Sequence, residues 1–288
     1  MPIPVPGRLA DALRQSTVQI LSGDRLHNGH GSGVIIGPAQ VVTNAHVVRS
    51  EHLTIESWEG KRCNASVVRS DRRRDLALLS VPDLNGASVT LGDSSLLRAG
   101  TPVVAIGNPF GFVGALSSGV VHSVGRVHVR GPNGGTAEWV CADVHLAPGN
   151  SGGPLADFHG HVVGINTMIA AGGLAFAVPS RAVQRFVAHA GSPAKLGVVV
   201  RQVTLRSGRP AMLILELVEQ GAAQAASLLA GDVLIAADGK SLAEPEDLLV
   251  AVEECAGGLL HLDFYRGSQD TLRHVTARLQ PERTRDAA

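Results

Sequence analysis

The chain has 288 residues, 44% of them hydrophobic and only 3% aromatic, a length that accommodates about two domains. Its 25 Lys and Arg residues balance 25 Asp and Glu residues, so there is no net positive field to recruit nucleic acid or an anionic membrane. The three cysteines, Cys63, Cys141 and Cys255, are odd in number and widely spaced, which gives neither a disulfide framework nor a zinc site; all three read as small buried apolar residues.

The first residues, MPIPVPGRLADALRQSTVQIL, lack a basic start followed by an apolar stretch of signal-peptide length. No window approaches the length of a membrane-spanning helix. The expectation is a soluble cytoplasmic chain, or a periplasmic or exported one if a leader was removed. From Ser16 to about Pro179, short Val- and Ile-rich runs (GSGVIIG, QVVTNAHVV, LALLSV, TPVVAIG, SSGVVHSVG, GHVVGINT, LAFAVP) are broken by Gly, Pro, Asn and Asp. Such runs are too short for helices and predict an all-β barrel or sandwich. PSRAVQRFVAHAG then places Ala182, Val183, Phe186 and Val187 at helical spacing, with Ser180 as N-cap and Gly191 as stop. GSPAK reads as a linker. Beyond it, LGVVVRQV, MLILELV, GDVLIAADGK, LHLDFYRG and RHVTARL read as strands, and GAAQAASLL and EPEDLLVAVEEC as helices. Pro245 sits in the first turn of the second helix, with acids that complement its dipole. The predicted division is a β-rich domain over 1–190, a linker over 191–195, a small α+β module over 196–280 and a tail over 281–288.

APGNSGGPL, Ala147 to Leu155, is the segment that points to chemistry. Gly, Pro, Asn and Ser are turn residues, and alone the segment is a turn. A serine hydroxyl needs a base to take its proton, and the base needs a carboxylate to hold its tautomer. VVTNAHVV places His46 at the end of an apolar run, after a Thr-Asn turn. RRRDLALLSV places Asp75 at the mouth of a buried strand, where an acid is costly without a partner. Each has a bland alternative: a strand-end histidine, a cap, a turn serine. Together, the order His46, Asp75, Ser151 is that of the chymotrypsin-type double β-barrel, and the β-rich pattern agrees. Gly149 and Ser151 would then offer backbone N–H groups to the oxyanion of acyl transfer. Pro148 stiffens the approach to them.

GSGVIIG, VVTNAHVV, RRRDLALLSV, LGDSSLLRAGTPVVAIGNPFGF, SSGVVHSVGR, APGNSGGPLAD, GHVVGINT, LAFAVPS and GDVLIAADGK occur in the order seen in one family. The chain resembles the HtrA (Deg) family of trypsin-like serine proteases with a C-terminal PDZ domain. That resemblance implies His46, Asp75 and Ser151 as catalytic residues and Gly149, Asn150 and Ser151 as the oxyanion loop. It implies an ATP-independent, cofactor-free endopeptidase acting on unfolded or damaged proteins. It also implies a homo-oligomer, a trimer in many members, built through aromatic residues near the N-terminus; here no aromatic precedes Trp58. Leu146 takes the apolar position that lines the primary specificity pocket, and the following TMIAAGGLAF loop has no acid. Cleavage after small or medium aliphatic residues follows. His145 either tunes that pocket or faces solvent.

KLGVVV resembles the PDZ loop and strand that receive a peptide C-terminus. Backbone N–H groups around Leu196 and Gly197 would hold the carboxylate, and the strand would pair with the peptide. Leu248 and Val252 would line the other wall. No metal is expected: His27 and His30 lie in a Gly-rich loop, and His159 and His161 flank a hairpin glycine. The alternative function is a chaperone or peptide-binding scaffold whose protease site is idle.

Overall fold

The computed structural model describes residues 5–22, 29–50, 53–129, 135–169, 173–188, 194–255 and 258–281. The chain forms two compact units, Met1–Ala190 and Gly191–Ala288.

In the first unit, helix α1 (Gly7–Gln15) leads into six antiparallel strands: β1 (Thr17–Ser22), β2 (Gly29–Gly37), β3 (Gln40–Thr43), β4 (Leu53–Glu56), β5 (Arg62–Asp71) and β6 (Leu76–Ser80). They close into a barrel in the order β1-β2-β3-β6-β5-β4. A second barrel follows: β7 (Pro102–Gly107), β8 (Ala115–Val129), β9 (Gly135–Asp143), β10 (Pro154–Asp157), β11 (Val162–Ile169) and β12 (Ala175–Pro179), closed as β10-β11-β12-β9-β8-β7. This is the chymotrypsin-like double barrel expected from the order His46, Asp75, Ser151 and from the family resemblance, and one of the two all-β forms that the strand pattern allowed.

The continuous apolar runs have a direct cause. Side chains alternate across a strand, and here both faces are covered. Along β7, Val103 and Ala105 enter the second barrel's interior, while Val104 and Ile106 pack between the barrels. Along β3, Val41 enters the first barrel and Val42 faces the second. The same inter-barrel core takes Leu13 from α1 and Val183 and Phe186 from α2 (Ser180–Ala188). The Phe186 ring is fully buried and lies 4.7 Å from the Arg69 guanidinium of β5. Truncating it to Ala costs about 3–5 kcal/mol.

The second unit has its own core, with Met212, Ile214, Leu234, Leu260 and Leu262 at its centre. Its strands are β13 (Ala194–Lys195), β14 (Val198–Thr204), β15 (Pro210–Leu217), β16 (Val233–Ala237), β17 (Lys240–Ser241), β18 (Leu259–Arg266), β19 (Ser268–Arg278) and β20 (Gln280–Pro281). The sheet order is β14-β15-β16-β18-β19, with β17 on β16. Asp238 and Gly239 both have positive φ, 45° and 74°, the requirement of the tight hairpin turn that their Asp-Gly sequence signals. Two helices complete the unit, α3 (Ala222–Ala225) and α4 (Pro245–Glu254). A capping box between Glu244 and Asp247 starts α4, with Pro245 in its first turn. Asp232, 1% exposed, is held by both forks of Arg266 at 2.7 Å, which satisfies a charge that would otherwise be costly to bury.

Three expectations change. Ala194 and Lys195, read as linker, form a strand paired with Pro281 and Gln280, because backbone partners across the chain satisfy them. Leu248 and Val252, read as groove walls, are buried in the unit's core, since α4 turns its apolar stripe inward. Cys255 is only partly buried, whereas Cys63 and Cys141 are buried; burial pushes the Cys141 and Cys255 thiols above their ordinary range, away from thiolate chemistry.

Candidate active site

Strand register brings the first two residues together. In the antiparallel β3–β6 pair, Thr43 faces Ala77. The chain beyond Thr43 therefore meets the chain before Ala77. A single 3₁₀ turn, Ala45–Val47, presents His46 there, and Asp75 waits at the entry to β6. Its φ is +54°, a left-handed conformation that Asp tolerates better than most residues. Buried Asn44 fixes it by donating from Nδ2 to the Asp75 carbonyl at 2.9 Å.

The Asp75 carboxylate is fully engaged. Oδ1 accepts the His46 backbone N–H at 3.0 Å, and Oδ2 accepts from His46 Nδ1 at 2.7 Å. The Thr167 hydroxyl also donates to Oδ2. A carboxylate only accepts, so Nδ1 carries a hydrogen and the Nε2 lone pair is left for a proton. The His46 ring is 44% exposed and the Asp75 side chain 19%: the imidazole faces the solvent side and the carboxylate lies behind it.

Ser151 comes from the second barrel, in the turn that precedes β10. Pro148 and Gly149 occupy the centre of a tight turn closed by Asn150 N–H to the Ala147 carbonyl at 3.0 Å. Gly149 has φ +108°, and a Cβ on it would overlap the Asn108 carbonyl oxygen; no other residue fits. The carbonyl and N–H of a trans peptide point in opposite directions. The Pro148 carbonyl is tied to Phe110 N–H at 3.0 Å, and the Asn150 carbonyl to Gly153 N–H at 3.0 Å. The N–H groups of Gly149 and Ser151 therefore turn the other way, and among the described residues neither has an acceptor. Asn150, the middle of the expected oxyanion loop, has its N–H committed within the turn and contributes shape, not a donor.

His46, Leu146, Gly149, Asn150 and Ser151 line one cleft of about 300 Å³. Asp75 stands behind it on His46. The Ser151 hydroxyl donates to the Thr167 carbonyl at 2.9 Å rather than to His46. Leu146, Ala147, Met168 and Ile169 give the cleft an apolar wall, and among the described residues no acid lines it. Residues 170–172 of the TMIAAGGLAF loop lie outside the described residues, as does His27. His145 is exposed, donates its N–H to Ser117 Oγ at 2.9 Å and lines a separate cavity with Asp143 and Arg14, the solvent-facing alternative of its two readings. Thr167 and Arg49 also line the cleft and were not anticipated. Arg49 had no sequence signal. Thr167 had a faint one, a polar residue ending the apolar run VVGIN.

Comparison with known proteins agrees with this geometry. The trypsin-like peptidase domain model matches residues 31–165. Serine protease HTRA1 of Xenopus tropicalis is 32% identical over 273 residues, covering 85% of this chain and 59% of the relative. The chain is a homologue of the HtrA serine proteases. A probable periplasmic serine endoprotease, DegP-like, of Pseudomonas putida (strain W619) is 34% identical over 283 residues, covering 90% of this chain and 58% of the relative. The chain thus spans less than two thirds of these HtrA relatives. Among solved structures, the HtrA-type protease AlgW with a tripeptide superposes with a TM-score of 0.76 at 26% identity, covering 97% of this chain and 99% of that one.

Proposed function

We propose that the chain is a serine endopeptidase that hydrolyses unfolded or damaged proteins through an acyl-enzyme, as ATP-independent protein quality control. The carrying observation is the cleft itself, in which His46, backed by Asp75 at 2.7 Å, shares a wall with Ser151 and two unpartnered N–H groups. In this reading the Ser151 hydroxyl swings from the Thr167 carbonyl towards His46. Its oxygen attacks the scissile carbonyl carbon while Nε2 takes the proton. The carbonyl oxygen gains the negative charge and is met by the Gly149 and Ser151 N–H groups. His46 then passes the proton to the departing amine, leaving the acyl-serine. Water repeats the sequence, giving its proton to His46 and releasing the acid and the serine. Asp75 keeps the ring hydrogen on Nδ1, so that Nε2 is the atom that accepts and returns the proton.

Leu146 and a cleft with no acid among its described residues support cleavage after small or medium aliphatic residues. In the second unit, β14 is the edge of its sheet and α4 packs beside it, an arrangement suited to strand addition by a peptide C-terminus. Gly197 has φ +77°, and the Leu196 and Gly197 carbonyls are bound by Ala223 and Val218 N–H groups at 2.8 and 2.9 Å. Among the described residues neither the Leu196 nor the Gly197 N–H has a backbone acceptor outside the strands, which supports a carboxylate there in a PDZ-like role. Peptide C-termini there, unfolded chains in the cleft and a homo-oligomer are the partners of this reading. Of the two localisations open to the sequence, export follows the relative named periplasmic.

One observation favours the second reading, an idle site on a binding scaffold: the nucleophile rests on Thr167 and not on His46. Titration with a fluorophosphonate separates the two. An endopeptidase is labelled stoichiometrically at Ser151 and digests casein, and Ser151→Ala loses both while staying folded. Unlabelled but folded wild-type protein rejects the enzyme reading, as does undiminished proteolysis by Ser151→Ala.

A further inference from the structure

Two motifs have no part in the chemistry so far: Gly-Ser-Gly at 31–33, on β2, and Gly-Asn-Pro at 107–109, at the end of β7. Their polar residues, Ser32 and Asn108, are 0% and 1% exposed. Burying polar side chains is costly unless each group is satisfied, and here every one is. The Ser32 hydroxyl accepts from Asn108 N–H at 2.9 Å and from Asn108 Nδ2 at 3.1 Å. A hydroxyl has two lone pairs and one hydrogen. Both lone pairs are used, so the hydrogen has one destination, the Gly149 carbonyl oxygen at 2.7 Å. The Asn108 amide is equally fixed. Its other Nδ2 hydrogen goes to the Val18 carbonyl at 3.0 Å, and its Oδ1 accepts Gly114 N–H at 2.9 Å. Turning the amide over would set oxygen against oxygen at Val18. The Ser32 backbone adds a second tie, donating its N–H to the Ser151 carbonyl at 2.8 Å, while Thr43 Oγ1 holds the Ser32 carbonyl at 2.6 Å.

Gly149 lies between two peptide planes. Phe110 fixes the plane before it through the Pro148 carbonyl, and the Gly149 carbonyl of the plane after it accepts the Ser32 hydroxyl at 2.7 Å and, more distantly, the Asn108 N–H at 3.4 Å. Glycine has the freest backbone of any residue, so these ties, not its own sterics, decide where its N–H points. The ties of Ser32 run from the first barrel to the turn of the second, the turn that carries both unpartnered N–H groups. We propose that Ser32, locked by Asn108, is a positioning residue for acyl transfer: a buried strut that holds the Gly149 and Ser151 N–H groups where the oxyanion forms. This rests on the serine-endopeptidase reading.

The test uses the full chain, a fluorogenic peptide and a peptide boronic acid, whose tetrahedral adduct on Ser151 puts an oxygen at the oxyanion position. Ser32→Ala removes the hydroxyl. Since losing an oxyanion donor outright costs about 10²–10³ in kcat, a loosened one should cost about tenfold to a hundredfold, with KM within about twofold. Boronate affinity should fall by the same factor as kcat, while affinity for the cleaved product peptide stays constant. Ser32→Thr, which keeps the hydroxyl, should recover most of the rate. Should Ser32→Ala not fold, Ser32→Cys, nearly isosteric with a weak donor, carries the test and should lose about tenfold in kcat. Folded Ser32→Ala or Ser32→Cys protein with unchanged kcat overturns the proposal, and so does a loss of kcat that boronate affinity does not follow. A wild type that neither turns over nor labels with fluorophosphonate overturns the endopeptidase reading itself, and the strut with it.

Discussion

Replacing Asp75 with Asn keeps the shape of the side chain and exchanges one acceptor for a donor. The consequence follows from the three hydrogen bonds that its carboxylate accepts. The His46 backbone N–H, 3.0 Å from Oδ1, has a hydrogen that cannot turn away. Placing the new NH₂ there would oppose two donors and leave both unsatisfied, at about 1–3 kcal/mol each. The Asn oxygen therefore takes the Oδ1 position and the NH₂ takes the Oδ2 position. The Thr167 hydroxyl can rotate to accept from it. The imidazole cannot rotate away, and Nδ1, 2.7 Å from that atom, must become an acceptor. The ring proton then sits on Nε2, the atom meant to receive the serine proton. The expected loss is about ten-thousandfold in kcat, about 5 kcal/mol of barrier. KM on a fluorogenic peptide should change little, because no wall of the cleft moves. Circular dichroism and a thermal melt should show a folded protein. An Asp75→Asn enzyme retaining a tenth of wild-type kcat would refute the tautomer argument, as would a loss explained by unfolding.

Two further outcomes concern specificity and the second unit. Mass mapping of products from an unfolded substrate should place most cuts after Val, Ala or Leu and few after Lys or Arg. Among the described residues no acid lines the cleft, and Arg49 stands on its rim, so a cationic side chain would be buried unpaired; a majority of cuts after basic residues would reverse the proposal. The full chain should bind a peptide with a free apolar C-terminus, with affinity on the order of micromolar, and lose it when that carboxylate is amidated; equal binding of the amidated peptide would remove Leu196 and Gly197 from carboxylate recognition.

What the sequence made legible divides along a physical line. His46, Asp75 and Ser151 could be proposed as a set because acyl transfer needs those functional groups and few others, and the structure puts Asp75 on His46 and His46 in one cleft with Ser151. The all-β character could be read because strands covered on both faces are apolar along their length, as β6 and β7 are, and the order His46, Asp75, Ser151 narrowed it to a double barrel. Leu248 and Val252 mark the limit of that logic. Apolar spacing on a helix states that one face is buried and not what covers it, so core and groove wall look alike until α4 is packed. Helix α1 was missed for a related reason. It buries only Ala10 and Leu13, and it starts at Gly7 directly after Pro6, two residue types with low helix propensity. Ala194 and Lys195 form a strand only because Gln280 and Pro281 come back to pair with them, and separation of that kind leaves no local trace.

The polar residues that hold the site were illegible for a different reason. Nothing in GINTMI says that the Thr167 hydroxyl meets Asp75 and its carbonyl meets Ser151. Nothing in GSGVII says that Ser32 reaches the Gly149 carbonyl 117 positions away. These bonds depend on the mutual placement of two closed barrels, set by the inter-barrel core of Val34, Val42, Val104 and Ile106. The proposed chemistry is divided across the same seam: His46 and Asp75 on one side, Ser151 and the two N–H groups on the other. Ser32 crosses the seam in one direction and Thr167 in the other, so the apolar packing that brings the barrels together and the hydrogen bonds that align the site are one constraint. A cavity opened at Val104 or Ile106 should accordingly lower kcat more than its cost in stability alone would suggest, because it loosens the placement on which both crossings depend. Ile106→Ala, measured well below its melting temperature so that the folded fraction is saturated, separates the two effects: a kcat equal to wild type would mean that the crossings hold without the core beneath them.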